Sequence, residues 1–213
     1  MAATVTGSAS SGRTSSSVTT LTVSHTANGD DLFVWVGIFS NLEKPWPSCT
    51  YNGVALDRVF SDRETTQAGV YLFRMPAAPA GTANVVVTFL GGNYITLGAF
   101  NVNGAGGIRA TRGAVGTGTT PTVTVPSVAG DLVLDFCQSD AANQDWTVGA
   151  GQTLIYEIVD ATSNEKSAAS YESAAGTTTV MSYTLSVSNS WTQWACSVTG
   201  ASGGGASNVP FVG

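Results

Sequence analysis

Few side chains in this 213-residue sequence have the chemistry of a catalytic group. His25 is the single histidine, so any catalytic set that uses histidine as general base would have to include it. It lies at the end of a predicted strand, where a lone histidine is more typical of a surface or capping residue than of a base. The sequence therefore predicts no Ser-His-Asp set.

Carboxylates are the second kind of candidate, because a glycosidase needs only two of them. The second half of the chain offers Asp135, Asp140, Asp145 and Glu157. Asp135 alternates with apolar neighbours in a predicted strand, and this pattern predicts that it faces solvent on an outer sheet surface. We therefore expect these carboxylates to be structural or solvated, and the protein not to be an enzyme.

Metal sites have equally little support. Asp30, Asp31 and Asp131 follow glycines at the starts of strands, where aspartate commonly binds the backbone of its own turn. Calcium at these turns is an alternative, but no EF-hand-like spacing supports it. The sequence thus predicts no metal ion and no cofactor.

The three cysteines are an odd set without the CxxC or CxxH spacing of zinc or redox sites. They are expected to be buried, free thiols. The alternative is a disulfide between Cys137 and Cys196, since the strands that carry them could face each other across a core.

Composition excludes other classes of protein. Hydrophobic residues make up 43% and charged residues 10% of the chain, a profile typical of a β-rich protein covered by Ser, Thr, Asn and Gly. No apolar run approaches the 18 or more residues of a membrane span, and the N-terminus lacks the pattern of an export signal. The net charge of −6 argues against nucleic acid as a partner. Neither a membrane nor nucleic acid is expected to bind.

Two apolar segments predict the centre of the fold. The run LFVWVGIF at Leu32–Phe39 is apolar at both even and odd positions, which is typical of a strand covered on both faces. A similar run, LVLDFC, follows Gly130 and Asp131 at Leu132–Cys137. Near the first run, Asn52 and Gly53 predict a type I′ hairpin, because both central positions of that turn require positive φ.

Matching segments recur at offsets of roughly 95 to 102 residues and indicate an internal repeat. The matches are TLTV with TVTV at Thr20 and Thr122, Asp31-Leu32 with Asp131-Leu132, and AFNVNGA with ACSVTGA at Ala99 and Ala195. We predict an all-β, antiparallel, jelly-roll-like β-sandwich over residues 17–201. Its two pseudo-repeated halves, about 17–105 and 121–201, would share a core, with only Gly104 to Thr120 between them.

The two ends of the chain are poor in residues that could form a core. Residues 1–16 are predicted to be an extended N-terminal arm, and residues 202–213 a Gly-rich C-terminal tail. Both are expected to lie against neighbouring subunits, with apolar contact from Val209, Phe211 and Val212. The alternative is that they fold back onto the same chain.

Exposed aromatic rings would indicate a different function, because β-sandwich modules often bind sugars with such rings. Trp46, held between two prolines, is a candidate partner-contact residue, and Trp146, Trp191 and Trp194 are weaker ones. Trp35 lies within the central apolar run and is predicted to be core.

Several strings carry a resemblance to a known class of protein. They are GDDLFVWVGIF with GDLVLDF, the hairpin TYNGVALDRV, the unit YLFRMPAAPAGTANVVVTF, and the closing WACSVTGA. With these strings the chain resembles tandem-repeat β-sandwich proteins of bacteriophage virions and bacterial surfaces, over about residues 17–201.

This resemblance implies a non-enzymatic virion structural protein, made in the host cytoplasm, with a phage capsid decoration (cement) protein favoured. Its partners would be the major capsid protein or neighbouring copies, in a homo-oligomer within the assembly. The alternative is a tail or fibre module, or a surface module that binds glycans in adhesion.

Overall fold

The computed structural model describes residues 1–39, 46–62, 68–140, 144–159 and 165–201. Within these ranges the chain is built from antiparallel strands packed as sheets, so the prediction of an all-β sandwich is confirmed. The strands are β1 (Thr4–Arg13), β2 (Val18–Ala27), β3 (Asp31–Phe39), β4 (Ser48–Tyr51), β5 (Val54–Ala55), β6 (Asp57–Asp62), β7 (Ala68–Met75), β8 (Gly81–Asn103), β9 (Ala105–Gly118), β10 (Thr122–Pro126), β11 (Leu132–Asp140), β12 (Trp146–Val148), β13 (Thr153–Ile158), β14 (Glu165–Ser173), β15 (Thr178–Leu185) and β16 (Asn189–Gly200).

The strands stack as layers with an apolar core between each pair. An outer layer of β2, β4, β5 and the first part of β8 covers a layer of β1, β3, β6, β7 and the last part of β8. In the second half, β10, β15 and β12 cover the sheet β13-β14-β11-β16-β9. The two inner sheets pack face to face, and their shared core contains side chains from both halves of the chain. Between the two halves, β1 contacts β13 and β6 contacts β9.

The central strand β3 is covered on both faces, as its sequence predicts. All seven residues from Leu32 to Ile38 are buried. Leu32 and Val34 pack within the first half, whereas Phe33 and Trp35 enter the core between the halves. Because alternate residues of a strand point to opposite faces, one uninterrupted apolar run contributes side chains to two cores.

The long strand β8 passes from the outer layer to the inner one. Residues 81–88 pair with β2, and residues 94–102 pair with β3. The change occurs at Gly91 and Gly92, where Gly91 has a φ of 123° that side-chain-bearing residues rarely adopt. Glycine is required here because the chain turns while continuing to pair.

The hairpin prediction is confirmed. Tyr51 pairs with Val54 across the turn, and Asn52 and Gly53 have φ values of 50° and 77°. Both are positive, as a type I′ turn requires.

The N-terminal residues differ from the predicted extended arm. Residues 4–13 do not extend away from the body but form β1, which pairs with the last part of β8 of the same chain. Thr14 continues the attachment by exchanging hydrogen bonds with the backbone of Ile95. Small polar residues are held here by backbone pairing, which does not depend on apolar side chains.

The predicted connector between the halves is also a strand. Residues 105–118 form β9, which pairs with β16 along its length. Added Cβ atoms at Gly113 and Gly116 would overlap the rings of Trp194 and Trp191, their cross-strand partners. The tryptophan rings thus cover two glycines of an edge strand, a known means of stabilising such positions.

Residues that match in sequence do not occupy equivalent positions in the two halves. Leu32 packs inside the first half, whereas its sequence match Leu132 lies in the core between the halves. By strand pairing, Val34 lies between Ala99 and Phe73, and Asp135 lies between Ala195 and Ser170. Asp135 therefore takes the place that Val34 has in the first half. The jelly-roll-like connectivity and the internal repeat stay predictions.

Candidate functional site

Residues that could act as acid or base are separated by the fold. His25 packs beside Tyr51 on the inner side of the first half, while Asp135 lies inside the second half. Asp145 is exposed, and Glu157 is half-buried, with a pKa that burial raises. The side chain of Asp140 lies outside the described residues. The structure does not bring His25 and Asp135 together.

Asp135 is the centre of a buried hydrogen-bond network, which corrects the prediction that it faces solvent. Its Oδ1 accepts hydrogen bonds from the Ser170 amide (3.1 Å), the Ser170 hydroxyl (2.5 Å) and the Tyr183 hydroxyl (2.8 Å). Its Oδ2 accepts one from Gln193 Nε2 at 2.8 Å. The carboxyl group is fully buried and connects strands β11, β14, β15 and β16.

Burial is the dominant influence on this carboxyl group. It raises the pKa of Asp135 to about 6, although the four donated hydrogen bonds act in the opposite direction. At neutral pH the group is therefore mainly ionised. Because it has no exposed surface, it is suited to linking sheets rather than to exchanging a proton with a substrate.

His25 is also buried, with 1% exposure, so the prediction of a surface or capping position is wrong. Its Nδ1 lies 3.1 Å from the hydroxyl of Ser10 on β1, and its ring meets Tyr51 edge-on. Burial lowers the pKa of His25, and a smaller opposing effect comes from Asn101. The residue links the N-terminal strand to the body as a neutral imidazole.

A pH effect on β1 follows from this lowered pKa. The folded protein binds fewer protons at His25 than the unfolded chain, so stability is lost as the pH falls below about 6.5. Because burial makes the charged ring unfavourable where β2 contacts β1, we expect amide protection in β1 to decrease between pH 7.5 and 5. Hydrogen exchange, corrected for intrinsic rates, measures this. A His25→Gln variant should lack the pH-dependent decrease, and an equal decrease in that variant would contradict the assignment.

The aspartates at strand starts have different partners. Asp131 binds its own turn, accepting a hydrogen bond from the Val128 amide at 2.9 Å, and pairs with Arg109. Asp31 instead pairs with Arg74, and Asp30 accepts hydrogen bonds from Thr6 and Asn103. The prediction of own-turn bonding therefore holds for the Asp131 carboxylate, whereas the other two carboxylates join distant segments.

Cys49, Cys137 and Cys196 are free and buried. Burial raises the pKa of the Cys49 thiol to about 12 and also raises that of the other two. Cys196 faces the core between the halves, whereas Cys137 faces the core inside the second half. The two thiols are on opposite faces of one sheet, which excludes the alternative disulfide between them.

Lys166 is a residue that sequence reasoning did not single out. Its side chain is 1% exposed, and burial lowers its pKa. Asp145 and Glu157 act on it electrostatically in the opposite direction. The signal available in the sequence is that Lys166 is the only lysine or arginine after Arg112.

Trp46 is the most exposed of the five tryptophans, all of which fall within the described residues. It is 53% exposed, and the guanidinium of Arg58 lies 4.1 Å from its ring centre. Trp35 and Trp146 are buried, and Trp194 stacks on Phe60. Trp191 packs against the core of the second half. Of the candidate aromatic contacts, the structure leaves Trp46 on the surface.

Ala201, the last described residue, is held by hydrogen bonds to Gly104 and Met1. The amide of Ala201 donates a hydrogen bond to the Gly104 carbonyl at 2.7 Å. The Met1 amino group donates to the Ala201 carbonyl at 2.8 Å. The predicted contact residues Val209, Phe211 and Val212 lie outside the described residues.

The described ranges contain no group of three or more His, Cys, Asp or Glu side chains placed to hold a metal ion. A helix long and apolar enough to cross a membrane is not found in them. No family model matches the chain, and neither a curated protein nor a solved structure is significantly similar to it.

Proposed function

We propose that this chain is a non-enzymatic structural protein of a bacteriophage virion, and specifically a capsid decoration protein that bridges and stabilises subunits. The observation that supports this most is the fixed position of Ala201, the residue that precedes 202–213 in the sequence. Backbone hydrogen bonds hold Ala201 against Gly104 and Met1, where the two ends of the described body meet. A tail that starts from a fixed point on a layered β body can reach only a limited region of a neighbouring surface.

The chemistry of the tail fits this role. Its sequence contains Gly203–Gly205, and its apolar residues are Val209, Phe211 and Val212. Burying each of those three side chains against a partner contributes roughly 1.5 to 3 kcal/mol before the cost of ordering the tail. The partner is the major capsid protein or a neighbouring copy of this chain.

Deleting residues 206–213 tests the proposal. We expect the thermal unfolding of the isolated protein to be almost unchanged, because the strands and cores that the structure describes are all formed by residues before 202. Binding to purified capsids that lack this protein should be lost. The matched control replaces Ser207 and Asn208 with alanine, which keeps the apolar residues and should keep binding.

Two outcomes distinguish tail contact from general damage. Deletion of residues 1–14 should lower stability, because it removes β1 and its pairing with β8. Deletion of residues 206–213 should leave the stability unchanged. If protein lacking residues 206–213 still saturates such capsids, the decoration role through the tail is wrong, and a tail, fibre or glycan-binding module becomes the better hypothesis.

A further inference from the structure

The outer surface of the first half is a regular array of hydroxyl groups. On β2, β4 and the first part of β8, the inward residues form the core, so the alternate residues face outward. Strand pairing aligns them in rows across the sheet: Thr20, Thr88 and Ser48 in one row, and Thr22, Val86 and Thr50 in the next. We call this surface the hydroxyl face.

The hydroxyl face has no charge. Residues 18–27, 48–51 and 81–90 contain no Asp, Glu, Lys or Arg, although a typical soluble surface has roughly a quarter or more of such residues. Thr26 and Thr82 form a hydroxyl-to-hydroxyl hydrogen bond at 2.8 Å on the same surface. An uncharged partner that both donates and accepts hydrogen bonds fits this face, because Thr and Ser hydroxyls do both.

Exposed apolar groups lie beside the first of these rows. Ser48 pairs with Thr88, Leu90 is two residues beyond Thr88 on β8, and Trp46 is two residues before Ser48, just ahead of β4. Leu90 is 86% exposed, and Trp46 is 53% exposed with Arg58 stacked on its ring. A sugar ring presents apolar C–H faces and hydroxyl edges, so an aromatic platform beside a neutral hydroxyl array fits its chemistry.

We propose that the hydroxyl face binds a neutral polysaccharide, with one sugar ring packed against Trp46 and the chain lying along the Thr and Ser rows. Strands about 4.8 Å apart and outward residues about 6.7 Å apart give a flat array with many weak hydrogen-bonding positions. This inference goes beyond the capsid role and does not use the C-terminal tail, so either can fail without the other.

The opposite outer surface provides a matched control. On β10 and β15, outward residues such as Thr122, Thr124 and Ser182 also form a hydroxyl-rich surface. It has no exposed tryptophan, since Trp146 on the neighbouring β12 is buried. Adding one negative charge to each surface in turn therefore shows whether a loss of binding is specific to the hydroxyl face or is a general effect of charge.

Affinity electrophoresis of the full chain in gels containing dextran, xyloglucan or galactomannan tests the proposal. We expect at least one of these neutral polysaccharides to retard the protein. Trp46→Ala should weaken binding about tenfold or more, and Trp46→Phe should weaken it less because a ring remains. Thr88→Glu should abolish retardation, whereas Thr124→Glu, with the same added charge on the other surface, should retain it.

Several results would overturn the proposal. They are the absence of retardation by all three polysaccharides, retardation unchanged by both Trp46→Ala and Thr88→Glu, or retardation only by the charged polysaccharide alginate. Loss of capsid binding in Thr88→Glu without any polysaccharide binding would assign the face to a protein partner instead. Circular dichroism and thermal unfolding of each variant establish that the exposed substitutions leave the fold intact.

Discussion

Asp135→Ala is expected to lower the free energy of unfolding at pH 7 by about 3 to 5 kcal/mol. The substitution removes the acceptor of four hydrogen bonds and leaves the donors on Ser170, Tyr183 and Gln193 buried without it. Urea-induced unfolding measures the change. The control is Asp145→Ala, which removes an exposed carboxylate and should alter stability by no more than about 0.5 kcal/mol.

A combined variant separates loss of the charge from loss of the hydrogen bonds. By strand pairing, the first half has Val34, Phe89 and Leu97 in the corresponding core positions, so Asp135→Val, Tyr183→Phe and Gln193→Leu can be introduced together. The triple variant removes the Tyr183 and Gln193 donors with their acceptor and leaves only the Ser170 donors without it. Removing donors with their acceptor is less costly than removing the acceptor alone, so the triple variant should recover part of the stability lost in Asp135→Val. If the triple variant is less stable than Asp135→Val, the unsatisfied donors are not the cause.

The pKa of Asp135 also fixes the direction of a pH effect. It is raised to about 6 by burial, above the value of about 3.9 in an unfolded chain. The pH-dependent part of the stability is therefore greatest below pH 4 and falls as the pH rises through 6, while the hydrogen bonds to the ionised carboxylate remain at pH 7. The change is at most about 3 kcal/mol. This decline should be absent from Asp135→Ala when its pH profile is compared with that of the parent protein.

Gly98→Ala is expected to destabilise the protein by about 1 to 3 kcal/mol through overpacking. A Cβ atom at Gly98 would overlap the ring of Tyr156, which comes from β13 of the second half. Tyr156 is 7% exposed and belongs to the core between the halves, so its ring has little room to move. Gly176→Ala is the control, because no atom lies within 4 Å of the corresponding Cβ position.

A double-mutant cycle tests the cause. Tyr156→Ala alone should cost about 3 to 5 kcal/mol through the cavity it leaves. In that background the overlap at Gly98 no longer exists, so Gly98→Ala should have little further effect. Additive free energies would show that the penalty at Gly98 arises from its own strand rather than from the contact between the halves. Unfolding in two separate transitions would contradict a single unit with a shared core.

Local sequence predicted the features that depend on neighbouring residues. Asn52 and Gly53 specify their turn because both have positive φ, whichever sheet receives the hairpin. The run from Leu32 to Ile38 predicts a strand covered on both faces, because neither face contains a charge. The sequence does not determine whether Trp46 is exposed, since two flanking prolines restrict the backbone but not what packs on the ring.

Other features depended on pairing between distant segments. The arm at residues 1–16 has too little apolar surface to predict a strand, yet the edge of β8 provides backbone partners for Thr4–Arg13. Residues 105–118 became a strand for the same reason, since β16 provides their partners. A prediction based on side-chain pattern misses strands that are held mainly by backbone hydrogen bonds.

The sequence by itself determined the fold class, the turn at Asn52 and the burial of both faces of β3. It also determined the chemistry available, with one histidine, few charges and many hydroxyl groups. Only the tertiary structure decided which core each face enters, because a shift of one residue in register exchanges every side chain between two faces. That is why Asp135, expected in solvent, lies in a core, and why Cys137 and Cys196 lie on opposite faces of one sheet.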